Sequence, residues 1–505
     1  MFVCTMKYFF LTLCILAIAA SVRVGPDFLH ALVGQQERSP AVALPFSRRE
    51  AQTAGADAAE TAIRDLPKTF ETAEDLDVGI SDLAAESPDD KDETIRIRAV
   101  FNKSVPVRHR APLHESMITP GNFEYLGAIR PPHSQQNDPS FAFGGWGIAY
   151  RPDGDSEGPD DGYPGSLFLL GHQNHQKIAE ISIPSPVTSK LKRADDLPAA
   201  VILQPFDDIT DGILEEFTAG STEAFHIGGL LVTNNLLHWT MHKYYNVANI
   251  DYPSHGTSGL KTRTSLADGP WHLGPMNSGL PEWNSYKHAG YIFDVPHSES
   301  AKWFGGRTLI SGLQISTGLQ ASSQGPAMFV YSLPPEGTAP NSSLSAVPLC
   351  WYSQERPLPG HHPADRWTGG AWLTLGDKQA VVIVGRKSLG EYYYGEARPQ
   401  DCTPDKGYHG TPYELQVLFY SPASLIHAAN GSIPAAGLAP WLRWDGQSEG
   451  GGPGQYLFET CSKHVGGLAY DREHNLLYLV QIDAGRTSDN EFESLPLIHV
   501  FRIVE

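Results

Sequence analysis

The sequence predicts an all-β fold, and within that class a β-propeller of five blades, on three observations. From about residue 120 onward, long amphipathic helix patterns are scarce and short runs rich in β-branched and aromatic residues dominate. One arrangement recurs along this stretch: a Gly-Gly or Ala-Gly pair opens an apolar strand, a second strand follows a turn, a third ends in a hydrophobic run, and a fourth is short and bulky. The last copy lacks a fourth strand, while an unpaired strand pattern, Phe123-Glu-Tyr-Leu-Gly-Ala-Ile129, stands before the first copy.

The first copy reads Gly144–Tyr150, Ser166–Leu170, Lys177–Ile183 and Ala200–Gln204. The second opens at Gly228–Val232 and continues with Leu236–Met241, and its later strands are unclear. The third comprises Ala289–Phe293, Thr308–Ile310, Ala327–Tyr331 and Val347–Trp351. The fourth comprises Gly369–Leu373, Ala380–Val384, Leu415–Tyr420 and Trp441–Trp444, and the fifth Gly466–Tyr470, Leu476–Val480 and Leu497–Ile503.

A ring explains both the missing strand and the spare one. If Phe123–Ile129 completes the fifth sheet, the circle closes and neither sheet edge is left to pair with another chain. The recurring glycines fit the crowding near a propeller axis, where neighbouring backbones approach closely; ordinary turn glycines of a β-sandwich are the competing reading. The aligned glycines Gly144, Gly228, Gly290, Gly369 and Gly466 are separated by 84, 62, 79 and 97 residues. A bare blade needs about 40–50. Five blades with long loops account for the visible strands, with six or seven left open.

The N-terminal region reads differently. Lys7 precedes the apolar run Tyr8–Ala20, which is too short to span a bilayer, and Ala17-Ile18-Ala19 has the small residues of a cleavage site. Residues 1–20 are therefore expected to be a signal peptide, with a retained signal anchor as the alternative. Residues 21–115 form a linker rich in Ala, Asp, Glu, Ser and Pro, which offers too little apolar surface to offset its ordering entropy. Within it only Thr94–Phe101 alternates like a strand. The propeller is assigned to 116–505, secreted or periplasmic, with no stable membrane span after signal cleavage.

Two of the five cysteines, Cys4 and Cys14, leave with the signal; Cys350, Cys402 and Cys461 permit at most one internal disulfide and leave one thiol. The net charge of −20 argues against a protein that coats nucleic acid. It leaves room for a local basic patch that binds an anion. There is no Gly-x-Ser-x-Gly elbow, no phosphate-binding P-loop and no dinucleotide fingerprint in a βαβ context.

The alignment of copies turns sequence position into spatial position. Entries to first strands and exits from second strands share the face around the propeller mouth, a frequent ligand site. Two residues before the aligned glycines stand Ala142, His226, His288, Trp367 and His464, and Lys287, Arg366 and Lys463 directly precede three of these. Second strands end at His172, His242, Gln314, Arg386 and Gln481, with His175, Lys243, Tyr244, Lys387 and Asp483 beside them.

Three readings compete for this gathering. An acidic carbohydrate could be bound by Lys287, Arg366, Trp367, Arg386, Lys387 and Lys463, with His172, His242, Tyr244 and His288 supplying proton transfer for lyase chemistry. A divalent metal could sit on the axis among His226, His288 and His464. Repeated histidines could instead bond neighbouring backbones. His238 and His242, in H-x-x-x-H spacing on a strand with ~3.3 Å rise per residue, are too far apart to share a metal.

Residues from about 120 to 505 resemble secreted β-propellers in general, including carbohydrate-active ones, on the repeated strand patterns. Asn137-Asp-Pro-Ser140 resembles the Asp-Pro segment near the start of some five-bladed glycosidases. That resemblance implies a second carboxylate drawn from Asp251, Glu391, Glu396 or Asp483; an Asn-Asp-Pro turn is the simpler account. Tyr392-Tyr-Tyr394, Trp239, Trp283, Trp303 and Trp367 are candidates for stacking on sugars or for the core. The expectation is an extracellular propeller that binds an acidic glycan and could cleave it as a lyase, less readily as a hydrolase. The alternative is a noncatalytic scaffold for protein or cell-envelope interactions.

Overall fold

The computed structural model describes residues 116–505 except 134–138, 157–161, 247–249, 264–265, 317–322, 404–405 and 488–493. The expected signal peptide, most of the linker, the strand pattern Thr94–Phe101 and Asp138 lie outside the described residues.

The apolar runs of this chain become strands because each sheet is buried on both faces, which demands continuous rather than alternating hydrophobicity. The described chain begins with β1 (Ser116–Met117) and β2 (Phe123–Ile129). The first sheet follows as β3 (Ile148–Arg151), β4 (Ser166–Leu170), β5 (Ile178–Ile181) and β6 (Ile202–Asp207). After helix α1 (Ile213–Ala219) come β7 (His226–Thr233), β8 (Leu236–His242), β9 (His255–Ser258) and β10 (Ala267–Leu273), which form the second sheet. The third contains β11 (Tyr291–Asp294), then, past α2 (His297–Trp303), β12 (Leu309–Gly312) and β13 (Met328–Tyr331). The short β14 (Ser343–Leu344) runs parallel to β10, and β15 (Ala346–Cys350) completes the third sheet.

The fourth sheet begins with β16 (Arg366–Leu375) and β17 (Lys378–Ser388). A hairpin, β18 (Tyr393–Gly395) and β19 (Gly407–His409), is inserted before β20 (Tyr413–Tyr420). Helix α3 (Pro422–Ala429) precedes the outer strand β21 (Leu442–Trp444). The fifth sheet is β22 (Val465–Asp471), β23 (Leu476–Gln481) and β24 (Leu497–Ile503), and β2 supplies its outer strand. The pairing is antiparallel, from Phe123 opposite Ile503 to Ile129 opposite Ile498. The expected closure is therefore present, and five blades account for the ring.

The innermost strands β3, β7, β11, β16 and β22 each touch the next, with β22 returning to β3. At these junctions glycine is a spatial requirement. A Cβ on Gly228 would lie 2.1 Å from the Ala289 carbonyl oxygen, and one on Gly466 would lie 2.1 Å from that of Gly145. Five hydrophobic clusters then fill the five spaces between blades. The two-residue strand period sorts side chains between them. In β4, Leu167 and Leu169 pack toward the fifth blade, while Phe168 and Leu170 pack toward the second. In β17, Val381 and Ile383 meet the third blade and Val382 and Val384 the fifth.

The missing strands of the second copy are β9 and β10. His255-Gly-Thr-Ser258 is buried despite having no large apolar residue. A Cβ on Gly256 would stand 2.2 Å from the Trp239 ring, so glycine makes room for indole here. Cys402 and Cys461 form a disulfide, and Cys350 is a buried free thiol, matching the expected one bridge and one thiol. Among the described residues no helix is long and apolar enough to cross a membrane.

Candidate functional site

The entries to the inner strands and the exits from the second strands surround a cavity of about 1020 Å³ on the propeller axis. His226 at the start of β7, Arg366 at the start of β16 and His464 just before β22 contribute from three blades. His242 at the end of β8, Gln314 after β12 and Asp483 after β23 contribute from second strands. Trp367, Trp146 and Tyr244 supply aromatic wall.

Arg366 organises the electrostatics. Its guanidinium lies over the Trp146 ring at 5.0 Å, and the His464 ring stands 5.7 Å from the same indole. Arg386 is its direct partner across the β16–β17 ladder. Arg386 is buried, stacks over Tyr413 at 4.1 Å and reaches the Ser462 carbonyl at 3.5 Å. Burial pulls its pKa down to about 10. Among the described residues neither arginine has a carboxylate in ion-pair contact.

The three histidines nearby are held neutral. Burial lowers His242 to about 3, and the charges of His226 and Arg366 add to that. Burial and Arg366 lower His226, and burial with Arg386 and Arg366 lowers His464 further. Gln176 fixes His226, bonding its Nδ1 at 3.2 Å while its own Oε1 accepts from the Ile227 amide at 2.6 Å. Burial raises the Tyr244 phenol, so it keeps its proton at neutral pH.

Several buried polar atoms on this cavity have no hydrogen-bond partner among the described residues. They include His242 Nδ1, His464 Nε2, Trp367 Nε1, Gln314 Oε1, Asp483 Oδ1 and Thr460 Oγ1. Buried polar groups are seldom left unpaired, so their concentration here marks a place for a polar guest. Exposed charges of both signs, Arg193, Asp195, Glu459 and Arg486, stand at the rim.

The structure thus brings together His226, His242, Tyr244, Arg366, Trp367 and His464, with Arg386 directly behind them. It does not bring in the other expected residues. Lys387 follows Arg386 on β17, and adjacent strand residues face opposite ways. Its ammonium is taken by Asp365 at 2.9 Å. Lys463 pairs with Glu459 at 2.8 Å. Lys287 is buried with its Nζ 5.9 Å from the Trp351 ring, and burial lowers it to about 8. Of the five cations expected at the mouth, Arg366 lines the cavity with Arg386 paired to it across the ladder, and Lys287, Lys387 and Lys463 do not line it.

His288 is also absent from the cavity. Its chain turns at Ala289, with φ of 74°, so β11 begins only at Tyr291. The imidazole is buried with Nδ1 3.5 Å from Ser254 Oγ. The expected axial triad of His226, His288 and His464 consequently does not converge. Among the described residues no three His, Cys, Asp or Glu side chains are grouped to hold a metal ion. His172 stands beside the mouth, 5.7 Å from Phe143 and 4.8 Å from His175, without lining the cavity.

Of Asp251, Glu391, Glu396 and Asp483, only Asp483 reaches the cavity, where burial raises its pKa. Asp251 is held by His272 at 3.1 Å and by the Asn277 amide at 2.8 Å. Trp146 and Gln176 were not among the expected site residues. Trp146 lies within the first glycine cluster, Gly144-Gly-Trp-Gly147, so its place beside an inner strand was the available signal.

No family model and no curated protein matches the chain. Solved structures are similar to it at low identity. The Dos1 propeller is 8% identical over 70% of each chain, with a TM-score of 0.25. The phage phi92 endosialidase is 7% identical over 76% of this chain and 52% of that one, with a TM-score of 0.27. The full extracellular region of plexin A4 is 10% identical over 68% of this chain, with a TM-score of 0.28. This chain spans only 28% of that plexin chain. Likenesses at this level say nothing of the site's chemistry.

Proposed function

We propose that this is an extracellular propeller whose axial cavity binds a carboxylate-bearing unit of an acidic polysaccharide and cleaves the chain there by β-elimination. The observation that carries the reading is Arg366: a guanidinium in the cavity with no carboxylate in ion-pair contact among the described residues, backed by Arg386 and ringed by buried polar atoms that lack hydrogen-bond partners there. A uronate carboxylate satisfies that charge by charge-assisted hydrogen bonds. The Cys402–Cys461 bridge supports an oxidising, extracytoplasmic setting.

The chemistry follows from what the same groups can do. Arg366 pairs with the carboxylate and stabilises the charge that builds on it as the C5 proton leaves. Neutral His242 takes that proton; the ligand's negative charge offsets Arg366 and raises the imidazole's basicity. The C5–H electron pair becomes the C4–C5 double bond, and the C4–O bond breaks. Protonated Tyr244 gives its hydrogen to the departing oxygen. A hydrolase would need a pair of carboxylates flanking the sugar; of those lining this cavity, Asp483 is sheltered while Asp195 and Glu459 stand exposed at the rim.

The test pairs calorimetric titration with polyuronides against neutral glycans and a spectrophotometric assay for the unsaturated product. Wild-type protein should favour polyuronides, and Arg366→Ala should weaken them by roughly ten- to a hundredfold, the worth of a charged hydrogen bond. Equal binding of neutral glycans, or indifference to Arg366→Ala, would sink the reading. Binding with no new double bond would remove the elimination chemistry and keep the cavity as a recognition site.

A further inference from the structure

The hairpin inserted between β17 and β20 presents tyrosines that the cavity alone does not use. Tyr392 and Tyr394 are exposed, at 57% and 41%. Tyr394 lies on β18 opposite Tyr408 on β19, and Tyr392, which directly precedes β18, also meets the Tyr408 ring. The ring centroids of Tyr394 and Tyr408 are 5.1 Å apart, and those of Tyr392 and Tyr408 are 6.0 Å apart. Tyr393 faces the other way, stacked on His409 at 4.9 Å and covered by Arg398, so it anchors the hairpin.

This face is continuous with the cavity. Tyr244 lines the cavity and packs against Tyr245 at 4.7 Å. The Tyr245 hydroxyl meets that of Tyr394 at 2.7 Å. A Cβ on Gly407, at the start of β19, would be 3.5 Å from the Tyr244 hydroxyl. The disulfide also ties the insertion to the mouth, because Cys402 belongs to it and Cys461 precedes β22, and both line the cavity. An aromatic path therefore leads outward from the cavity on a backbone fixed to its rim.

Aromatic rings with a polar tip suit sugar units, offering an apolar face to ring C–H groups and a hydroxyl to their oxygens. We propose that Tyr392, Tyr394 and Tyr408 form an outer subsite that stacks on further units of the polysaccharide whose acidic unit occupies the cavity. The inference rests on the acidic-glycan reading above and extends recognition from the unit in the cavity to its neighbours along the same chain.

The test is calorimetric titration of the disulfide-intact protein with galacturonic acid and with oligogalacturonides of increasing length. Wild-type affinity should rise with length. Tyr392→Ala/Tyr394→Ala should lower oligosaccharide affinity roughly tenfold while leaving the monosaccharide unchanged. Tyr392→Phe/Tyr394→Phe, which keeps both rings, should retain most of the gain, and matched thermal melts establish that each variant is folded. Affinity that ignores length but depends on Arg366 would overturn the outer subsite alone. Oligosaccharide binding that the alanine pair leaves unchanged would do the same. Absence of binding to any galacturonide, or indifference to Arg366→Ala, would overturn the cavity reading and this one with it.

Discussion

Acid should destabilise this fold well before its carboxylates titrate, because histidines are built into its core as neutral groups. His238, His288 and His499 are buried. Burial lowers them to about 4, about 4 and about 3, respectively. An unfolded histidine titrates near 6.5. Above that pH both states are neutral and the histidines add no pH dependence. Below it the unfolded chain binds protons that the folded chain refuses, so stability falls as pH falls until the folded pKa is reached. The slope is about 1.4 kcal/mol per pH unit for each histidine. Between about pH 6.5 and about pH 5 the loss is about 1.6 kcal/mol each, about 5 kcal/mol for the three. That is a large part of the roughly 5–15 kcal/mol that holds a typical domain together. Urea unfolding followed by tryptophan fluorescence at a series of pH values measures it directly. His499 makes a clean control, since its Nδ1 accepts from Tyr125 at 2.9 Å and its Nε2 donates to Gln481 at 3.0 Å. His499→Gln should lower stability at neutral pH yet flatten the slope by about 1.4 kcal/mol per pH unit. An unfolding free energy that stays level from neutral pH to about pH 5 would refute the reasoning.

Other perturbations test the architecture. Gly228→Ala should cost about 2–3 kcal/mol, because the added methyl meets the Ala289 carbonyl at 2.1 Å; a melting temperature equal to wild type would mean the inner strands do not approach so closely. Replacing Cys402 and Cys461 by serine releases a 59-residue loop and should cost about 4 kcal/mol in denaturant unfolding, whereas Cys350→Ser acts only through its buried site. Deleting residues 21–115 should leave a folded propeller, while extending the deletion through Arg130 removes β2 and exposes the edge of β24; equal thermal melts would contradict closure by β2.

Where apolar residues run continuously, as in Ala380–Val384 and Leu476–Val480, the strand and its double burial are legible from composition alone. β9 is invisible by the same criterion, since its burial comes from Gly256 lying under Trp239 rather than from hydrophobic side chains of its own. Gly269-Pro270 interrupts the pattern of β10 in the same blade. For the site, the repeat alignment places the strand ends around the axis but cannot say which way each side chain points. Position relative to the glycine predicts that His226 and His464 reach the cavity, and both do. His288 occupies the equivalent place, yet the left-handed Ala289 delays its strand and the ring enters the core. Counting cations near the mouth also overstates the field. Lys387 and Lys463 are consumed by Asp365 and Glu459, partners 22 and 4 residues away whose approach depends on loop geometry.

The central claim is that an acidic sugar unit sits on the axis against Arg366. A crystal structure of the protein soaked with an oligogalacturonide tests it most directly. A uronate carboxylate is expected within hydrogen-bonding distance of the Arg366 guanidinium, with His242 and Tyr244 facing the sugar ring. An oligosaccharide bound at the opposite mouth of the axis or on an outer blade edge, with the Arg366 cavity holding only water, would contradict it.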